Sequence, residues 1–381
     1  MLCARRVWSA GSLRRGLASG EDSPLKRLLD GAATYGEPAA QGEGELRWAT
    51  QPYARRGPEA PVRRVEPADT TVLLFPGQGS QRVGMGHKLA HLPAARDLYE
   101  LASKILKWDV WRVCTEGPAD ELNARCQPAI MVTSLAALEA LRDTRPAALE
   151  RARAAAGFSL GELTALVWAG ALPLERALRL AEIRQTAMAA AAKERPQALL
   201  TVWLAADANL PHAMLRAREH AETQGLSDPV CQVANYLYPH CKVVGGDEEA
   251  LKFLEKRGSE FGIRRSARVA GAAGAFHTPL MAPVTNVLKE ALMSCEAEAP
   301  RVKVVSAVDA KAYSDARAVR KTLAKHAASP QRWEQTLHAL YARPQGERFP
   351  LTVALGPGTA LRATLKQVNA KAWDSSIQID V

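Results

Sequence analysis

The chain predicts an α/β fold: a parallel sheet covered by helices, with a smaller βαββαβ unit inserted into it. Two features of the sequence lead to this. Short apolar runs that end in glycine-rich loops and pass into helical patterns recur along the chain, which is how strand, loop and helix units of a parallel sheet read. Between residues 198 and 269 the order changes to strand, helix, two strands, helix and strand, a ferredoxin-like arrangement. A length of 381 residues, with 47% apolar and 24% charged residues, suits one large subdomain and one small one. The large subdomain is expected over 70–197 and 270–375.

Met1 to Gly20 hold Arg5, Arg6, Arg14 and Arg15 with no acidic residue before Glu21, the composition of a transit peptide or of a plain basic tail. Residues 21–69, rich in Pro, Gly, Arg and Glu without apolar periodicity, read as a flexible linker. Order begins at Thr71-Val72-Leu73-Leu74-Phe75, a buried strand that feeds Pro76-Gly77-Gln78-Gly79-Ser80 and then helical patterns from Leu89 to Leu106. A second unit is Ala154-Ala155-Ala156 followed by Gly157-Phe158-Ser159-Leu160-Gly161; its alanines are poor strand formers, so tertiary context has to hold them. The helix after it stops near Gly170, and another starts around Pro173.

Within the insert the strands are expected at 199–204, 230–234, 242–245 and 263–269, and the helices at 210–223 and 248–258. The chain returns through Gly274-Ala275-Phe276-His277-Thr278-Pro279, where Thr278 suits an N-cap and Pro279 the first helical position. A last unit is Leu351 to Leu355, Gly356-Pro357-Gly358 and a helix from about Thr359.

Gly-x-Ser-x-Gly at Gly157 to Gly161 forms a tight turn able to lift a serine hydroxyl over a helix N-terminus, which makes Ser159 a candidate nucleophile. With 26 glycines in the chain, composition alone supplies such a motif about 0.1 times, so it needs partners elsewhere. A serine needs a base. His87, His91, His212, His220 and His338 fall in polar helical stretches and His240 in a turn, all expected at the surface. His277, among small residues at a loop-to-helix junction, reads as the base or as a satisfied structural histidine. Arg184 falls on the flank of the apolar stripe formed by Leu174, Ala177, Leu178, Ala181 and Met188. It must snorkel, pair with a buried anion, or clamp a carboxylate with its planar fork.

No apolar run reaches the roughly 18 residues of a membrane span. The net charge of +10 is spread out, which fits a solvated basic surface or an anionic partner; no aromatic or motif signature points to nucleic acid. Six cysteines without a C-x-x-C pair argue for reduced thiols and against zinc or a disulfide framework.

Together these residues resemble the malonyl-CoA:acyl carrier protein transacylases of fatty acid synthesis, of mitochondrial type. Phe75 to Gln81, Gln127-Pro128-Ala129, Gly157 to Glu162, Arg184, Asn235, Ala275 to Thr278, Pro330 to Trp333 and Gly356 to Gly358 carry the likeness in one order over roughly residues 70 to 372. The resemblance implies an α/β-hydrolase-like large subdomain, Ser159 as nucleophile, His277 as its base, and an oxyanion hole of the Gln78 and Leu160 backbone N–H groups. It also implies that Arg184 pairs with the malonyl carboxylate and that Gln78 and Asn235 bind substrate. The substrates would be malonyl-CoA and a phosphopantetheinylated, acidic acyl carrier protein, with no cofactor or metal, in a monomer of the mitochondrial matrix. Arg264, Arg265 and Arg268 are candidates for docking the carrier.

Departures from the family pattern are Phe158 where bacterial relatives usually carry His, Ala307 where Asn is common, and Ala272-Ala273 where Val-Ser is usual. His326 stands in place of a Gln whose main-chain carbonyl orients the catalytic histidine in relatives. The competing readings are a serine esterase or thioesterase on an α/β-hydrolase scaffold and a non-catalytic basic scaffold protein that keeps the fold.

Overall fold

The computed structural model describes residues 66–381. The transit peptide expected at 1–20 and nearly all of the linker expected at 21–69 lie outside the described residues; Pro67–Asp69 form a single 3-10 turn.

A five-stranded parallel sheet organises the molecule. Its strands are β1 (Thr71–Phe75), β2 (Ala152–Gly157), β7 (Lys303–Val305), β8 (Leu351–Leu355) and β9 (Ser376–Ile379), in the order β7-β2-β1-β8-β9. Every residue of β1 is buried, as a central strand covered on both faces requires. β2 overrides the low strand propensity of its alanines, because it pairs in parallel with β1 on one side and β7 on the other. Its small side chains also let layers approach from both sides, with Ala155 in one apolar cluster and Ala156 in another. β9 continues the sheet past residue 375 by pairing Thr352 to Leu355 of β8 with Ser376 to Ile379.

The helices on this sheet include α1 (Pro93–Leu106), α2 (Cys126–Thr144), α3 (Leu160–Trp168), α4 (Leu174–Ala191), α7 (Ala282–Met293), α8 (Ala316–Lys325), α9 (Trp333–Tyr341) and α10 (Ala360–Val368). The helical pattern expected from Leu89 is interrupted: His87–Leu89 is a 3-10 turn, and α1 starts only at Pro93, whose missing N–H and fixed φ suit a helix start. In α2 all residues from Cys126 to Leu141 are buried, so no polar stripe marks it in the sequence. Gly170, two residues past α3, has φ 72°, the left-handed geometry of a helix end.

The insert forms its own four-stranded antiparallel sheet from β3 (Gln197–Leu204), β4 (Cys231–Tyr238), β5 (Cys241–Asp247) and β6 (Ile263–Arg268), in the order β4-β5-β3-β6. Helices α5 (Leu210–Thr223) and α6 (Glu248–Arg257) complete the βαββαβ order. Alternation along these strands divides their side chains between two cores. Leu200, Val202, Val233 and Val244 pack with α5 and α6, whereas Leu199, Ala234 and Val243 join the core of the large sheet. The insert thus lies against the parallel sheet's layers, and β4 reaches the loop at Gln331: the Tyr236 N–H donates to the Gln331 carbonyl and the Gln331 N–H to the Ala234 carbonyl, each at 2.8 Å.

Candidate active site

At the end of β2 the chain turns sharply into α3. The Phe158 N–H donates to the Phe75 carbonyl at 2.9 Å, and Ser159 occupies φ 53°, ψ −112° immediately before the first helical residue. Such a conformation is strained for a residue with a side chain and persists only where its surroundings enforce it. A Cβ on Gly157 would stand 1.8 Å from the Gly161 carbonyl carbon, so the turn closes only with glycines. Ser159 itself is buried, at the positive end of α3. Phe158, in the place of the familiar histidine, packs edge-on against Trp333 with ring centroids 5.6 Å apart.

The His277 side chain faces this hydroxyl. Its Nε2 lies 2.8 Å from Ser159 Oγ, and its Nδ1–H donates to the His326 carbonyl at 3.1 Å, which fixes the tautomer that leaves Nε2 free to accept. The backbone is held as well, with the His277 N–H on the Ala327 carbonyl at 2.8 Å. Gln331 Nε2 stands 3.2 Å from the same Nδ1 and donates to the Ser329 carbonyl at 3.3 Å. Burial first, then the neighbouring His326 and Arg184, push the imidazole well below the ordinary histidine value of 6.5, against the support of the His326 and Ser329 carbonyls. His277 is therefore neutral and able to take a proton.

Arg184, from α4, reaches the same oxygen. Its Nη2 donates to Ser159 Oγ at 2.9 Å and its Nη1 to Gln127 Oε1 at 2.6 Å, while Nη2 also lies 3.4 Å from His326 Nδ1. The side chain is 1% exposed, and Nε has no hydrogen-bond partner among the described residues. Burial pulls its pKa down to about 10, partly offset by Cys126 and Glu162, so the group stays cationic near neutral pH. Among the described residues no carboxylate pairs directly with it. A buried, hydrogen-bonded cation without a contacting anion is suited to receive one.

Gln78 and Leu160 complete the near surroundings. Gln78 Oε1 accepts from Gln127 Nε2 at 3.1 Å. The loop before it lies on the elbow, since a Cβ on Gly77 would be 2.3 Å from the Phe158 carbonyl oxygen. Neither the Gln78 nor the Leu160 N–H donates to a protein carbonyl among the described residues. Asn235, buried in β4, bridges to Gln331 through the backbone and leaves its Oδ1 unpartnered among the described residues.

Several participants carry no sequence signal of their own. Gln127 and Glu162 lie inside motif segments, but nothing marks their side chains as site groups. Glu162 is completely buried; its carboxylate accepts from the Ala307 N–H at 2.8 Å, from the Tyr313 hydroxyl, and from His326 Nε2 at 3.3 Å. Burial works against its charge, but the adjacent His326 and these donors outweigh it and hold Glu162 below the usual carboxylate range. The Ala307 departure is harmless to this contact, because the main-chain N–H makes it.

Two expectations need correction. His220 is half-buried rather than exposed, with its ring 5.3 Å from Phe253. Arg268 pairs with Glu248 and Glu255, so it is not available as a free docking cation, whereas Arg264 and Arg265 are exposed on β6, Arg265 above the Trp203 ring. Among the described residues no helix is long and apolar enough to cross a membrane, and no group of three or more His, Cys, Asp or Glu is placed to hold a metal ion.

Residues 72–354 match the acyl transferase domain family. A Drosophila melanogaster protein named probable mitochondrial malonyl-CoA-acyl carrier protein transacylase is 43% identical over 382 residues, covering 100% of each chain. The Homo sapiens mitochondrial malonyl-CoA-acyl carrier protein transacylase is 42% identical over 383 residues, covering 99% of this chain and 95% of its own. Among solved structures, a malonyl transacylase in complex with its type II polyketide acyl carrier protein superposes with a TM-score of 0.72 at 28% identity, covering 82% of this chain and 96% of that one.

Proposed function

The chain belongs to the malonyl-CoA-acyl carrier protein transacylases, and from that premise we propose how its own residues carry out the transfer. It is an acyl-carrier-protein S-malonyltransferase of the mitochondrial kind, acting in fatty acid synthesis. One observation carries the assignment of roles: Ser159 Oγ lies within hydrogen-bond reach of both a neutral imidazole and a buried guanidinium, at 2.8 and 2.9 Å.

In the first half-reaction Ser159 Oγ attacks the thioester carbonyl carbon of malonyl-CoA while His277 Nε2 takes the hydroxyl proton. The tetrahedral oxyanion is received by the Gln78 and Leu160 N–H groups, one on the loop after β1 and one at the start of α3. As the C–S bond breaks, His277 returns its proton to the CoA sulfur, leaving a malonyl-Ser159 ester. In the second half the carrier's phosphopantetheine thiol gives its proton to His277 and attacks that ester. The new thioester forms and Ser159 recovers its proton.

Arg184 exchanges its contact with the hydroxyl for the malonyl carboxylate. A guanidinium already desolvated loses little on meeting that anion, and an acyl group without a carboxylate gains nothing there. Asn235 Oδ1, unpartnered among the described residues, and the Gln78 carboxamide are available to polar groups of the incoming substrate. For the carrier we read an acidic surface docking near Arg264 and Arg265, and a monomeric enzyme in the matrix; the exposure of those two arginines supports the first.

Intact mass after addition of malonyl-CoA, and then of carrier protein, tests the scheme. We expect a malonyl adduct on the wild type that disappears when carrier is added, and none on Ser159→Ala. A stoichiometric adduct on that variant would overturn the role of Ser159. Steady release of free malonate without an acceptor would point to a thioesterase, and a folded protein that never acquires the adduct to a scaffold.

A further inference from the structure

Arg184 and Glu162 are both buried and oppositely charged, yet they do not touch; the His326 side chain stands between them. His326 and Glu162 are each 0% exposed and Arg184 1%. A carboxylate can only accept, so His326 Nε2, 3.3 Å from Glu162 Oε2, carries the hydrogen. The group facing the other nitrogen, Nδ1, at 3.4 Å is Arg184 Nη2, which can only donate, so Nδ1 is the acceptor there. The far end of these contacts is anchored: Glu162 sits three residues after the nucleophile on α3 and is held by the Ala307 N–H and the Tyr313 hydroxyl.

We propose that the His326 imidazole is a positioning residue for malonyl selectivity, a spacer that ties Arg184 to Glu162 and keeps the guanidinium turned toward the acyl site. This rests on the reading of Arg184 as the malonyl clamp. Without the ring, the long arginine side chain and the carboxylate are free to close on each other, and an ion pair formed there quenches the cation that should meet the substrate. The structural requirement is one acceptor toward Arg184 and one donor toward Glu162. A carboxamide supplies both, so glutamine is the conservative replacement and leucine the disruptive one.

The test compares malonyl and acetyl transfer to carrier protein as the ratio of their kcat/KM values in the full-length enzyme. For His326→Leu we expect that ratio to fall about tenfold, the order of one charged hydrogen bond, chiefly through a higher malonyl KM, with acetyl transfer retained as the check on folding. His326→Gln should restore the ratio to within about threefold of wild type. An unchanged ratio in His326→Leu, or an equal fall in His326→Gln, would overturn the proposal. Should His326→Leu fail to fold, His326→Asn decides, since its shorter carboxamide cannot reach both partners: the ratio is expected to fall, and an unchanged ratio sinks the idea. Failure of the underlying reading is separately visible, because Arg184→Ala would then leave the ratio untouched.

Discussion

His277 and Arg184 bring a nitrogen to the same oxygen at nearly the same distance, 2.8 and 2.9 Å, but they are held there by different kinds of structure. The proposed base, His277, is fixed by main chain: the His326 carbonyl takes its Nδ1–H and the Ala327 carbonyl its own N–H. The cation is fixed by side chains, Gln127 on one nitrogen and His326 on the other. A main-chain contact survives any substitution that keeps the backbone path, whereas a side-chain contact lasts only as long as the residue does. Residue 326 belongs to both arms, through its carbonyl and its ring. Replacing the family's glutamine there therefore leaves the main-chain anchor of His277 in place, while the ring bears on Arg184.

The largest expected effect comes from the base arm. His277→Ala should lower malonyl and acetyl transfer alike, by about 10²- to 10⁴-fold, because proton removal from Ser159 serves any acyl group. Quenched-flow measurement of the Ser159 ester from each CoA thioester checks this; a loss confined to malonyl would mean the two arms are not separable. Next comes the cation arm. Arg184→Ala should lose malonyl kcat/KM by about 10- to 100-fold, the ~1.5–3 kcal/mol of a charged hydrogen bond, with acetyl transfer changing only a few-fold. Equal losses would reduce Arg184 to a structural cation.

The same division decides how much of the site could be read from the sequence. The elbow, His277 and Arg184 were legible because each breaks a local pattern: a serine between glycines, a histidine at a helix entry, a cation beside an apolar stripe. The inserted sheet was legible too, since its alternation has period two. Helix α2 gives no such signal, being buried all round, and β2 has to take its strand geometry from β1 and β7. Glu162 and His326 are 164 residues apart and meet only in the folded chain. Their pairing depends on where α3 and the turn after α8 are packed, which no local periodicity reports. β9 is an edge strand of four residues after a short helix, too brief for its alternation to stand out.

The smallest expected effect joins the two arms. Burial and the neighbouring His326 and Arg184 hold His277 well below 6.5, so Ser159 acylation should stay level as the pH falls through the ordinary histidine range and decline only beneath it. The sign follows from the charges: the neighbouring Arg184 cation disfavours the imidazolium, and removing it lets the pKa rise. Arg184→Ala should therefore move the acid limb of acetyl transfer upward, toward 6.5. Water entering the vacated space would reduce desolvation and act in the same direction. The shift should be modest, because burial is the first cause and Arg184 ranks after His326. Acetyl-CoA is the substrate to use, since its binding does not depend on the guanidinium. A pH profile of burst acetylation that keeps the wild-type limb in Arg184→Ala would show that the cation arm leaves the base arm's proton affinity alone, and that the two share an oxygen without sharing a field.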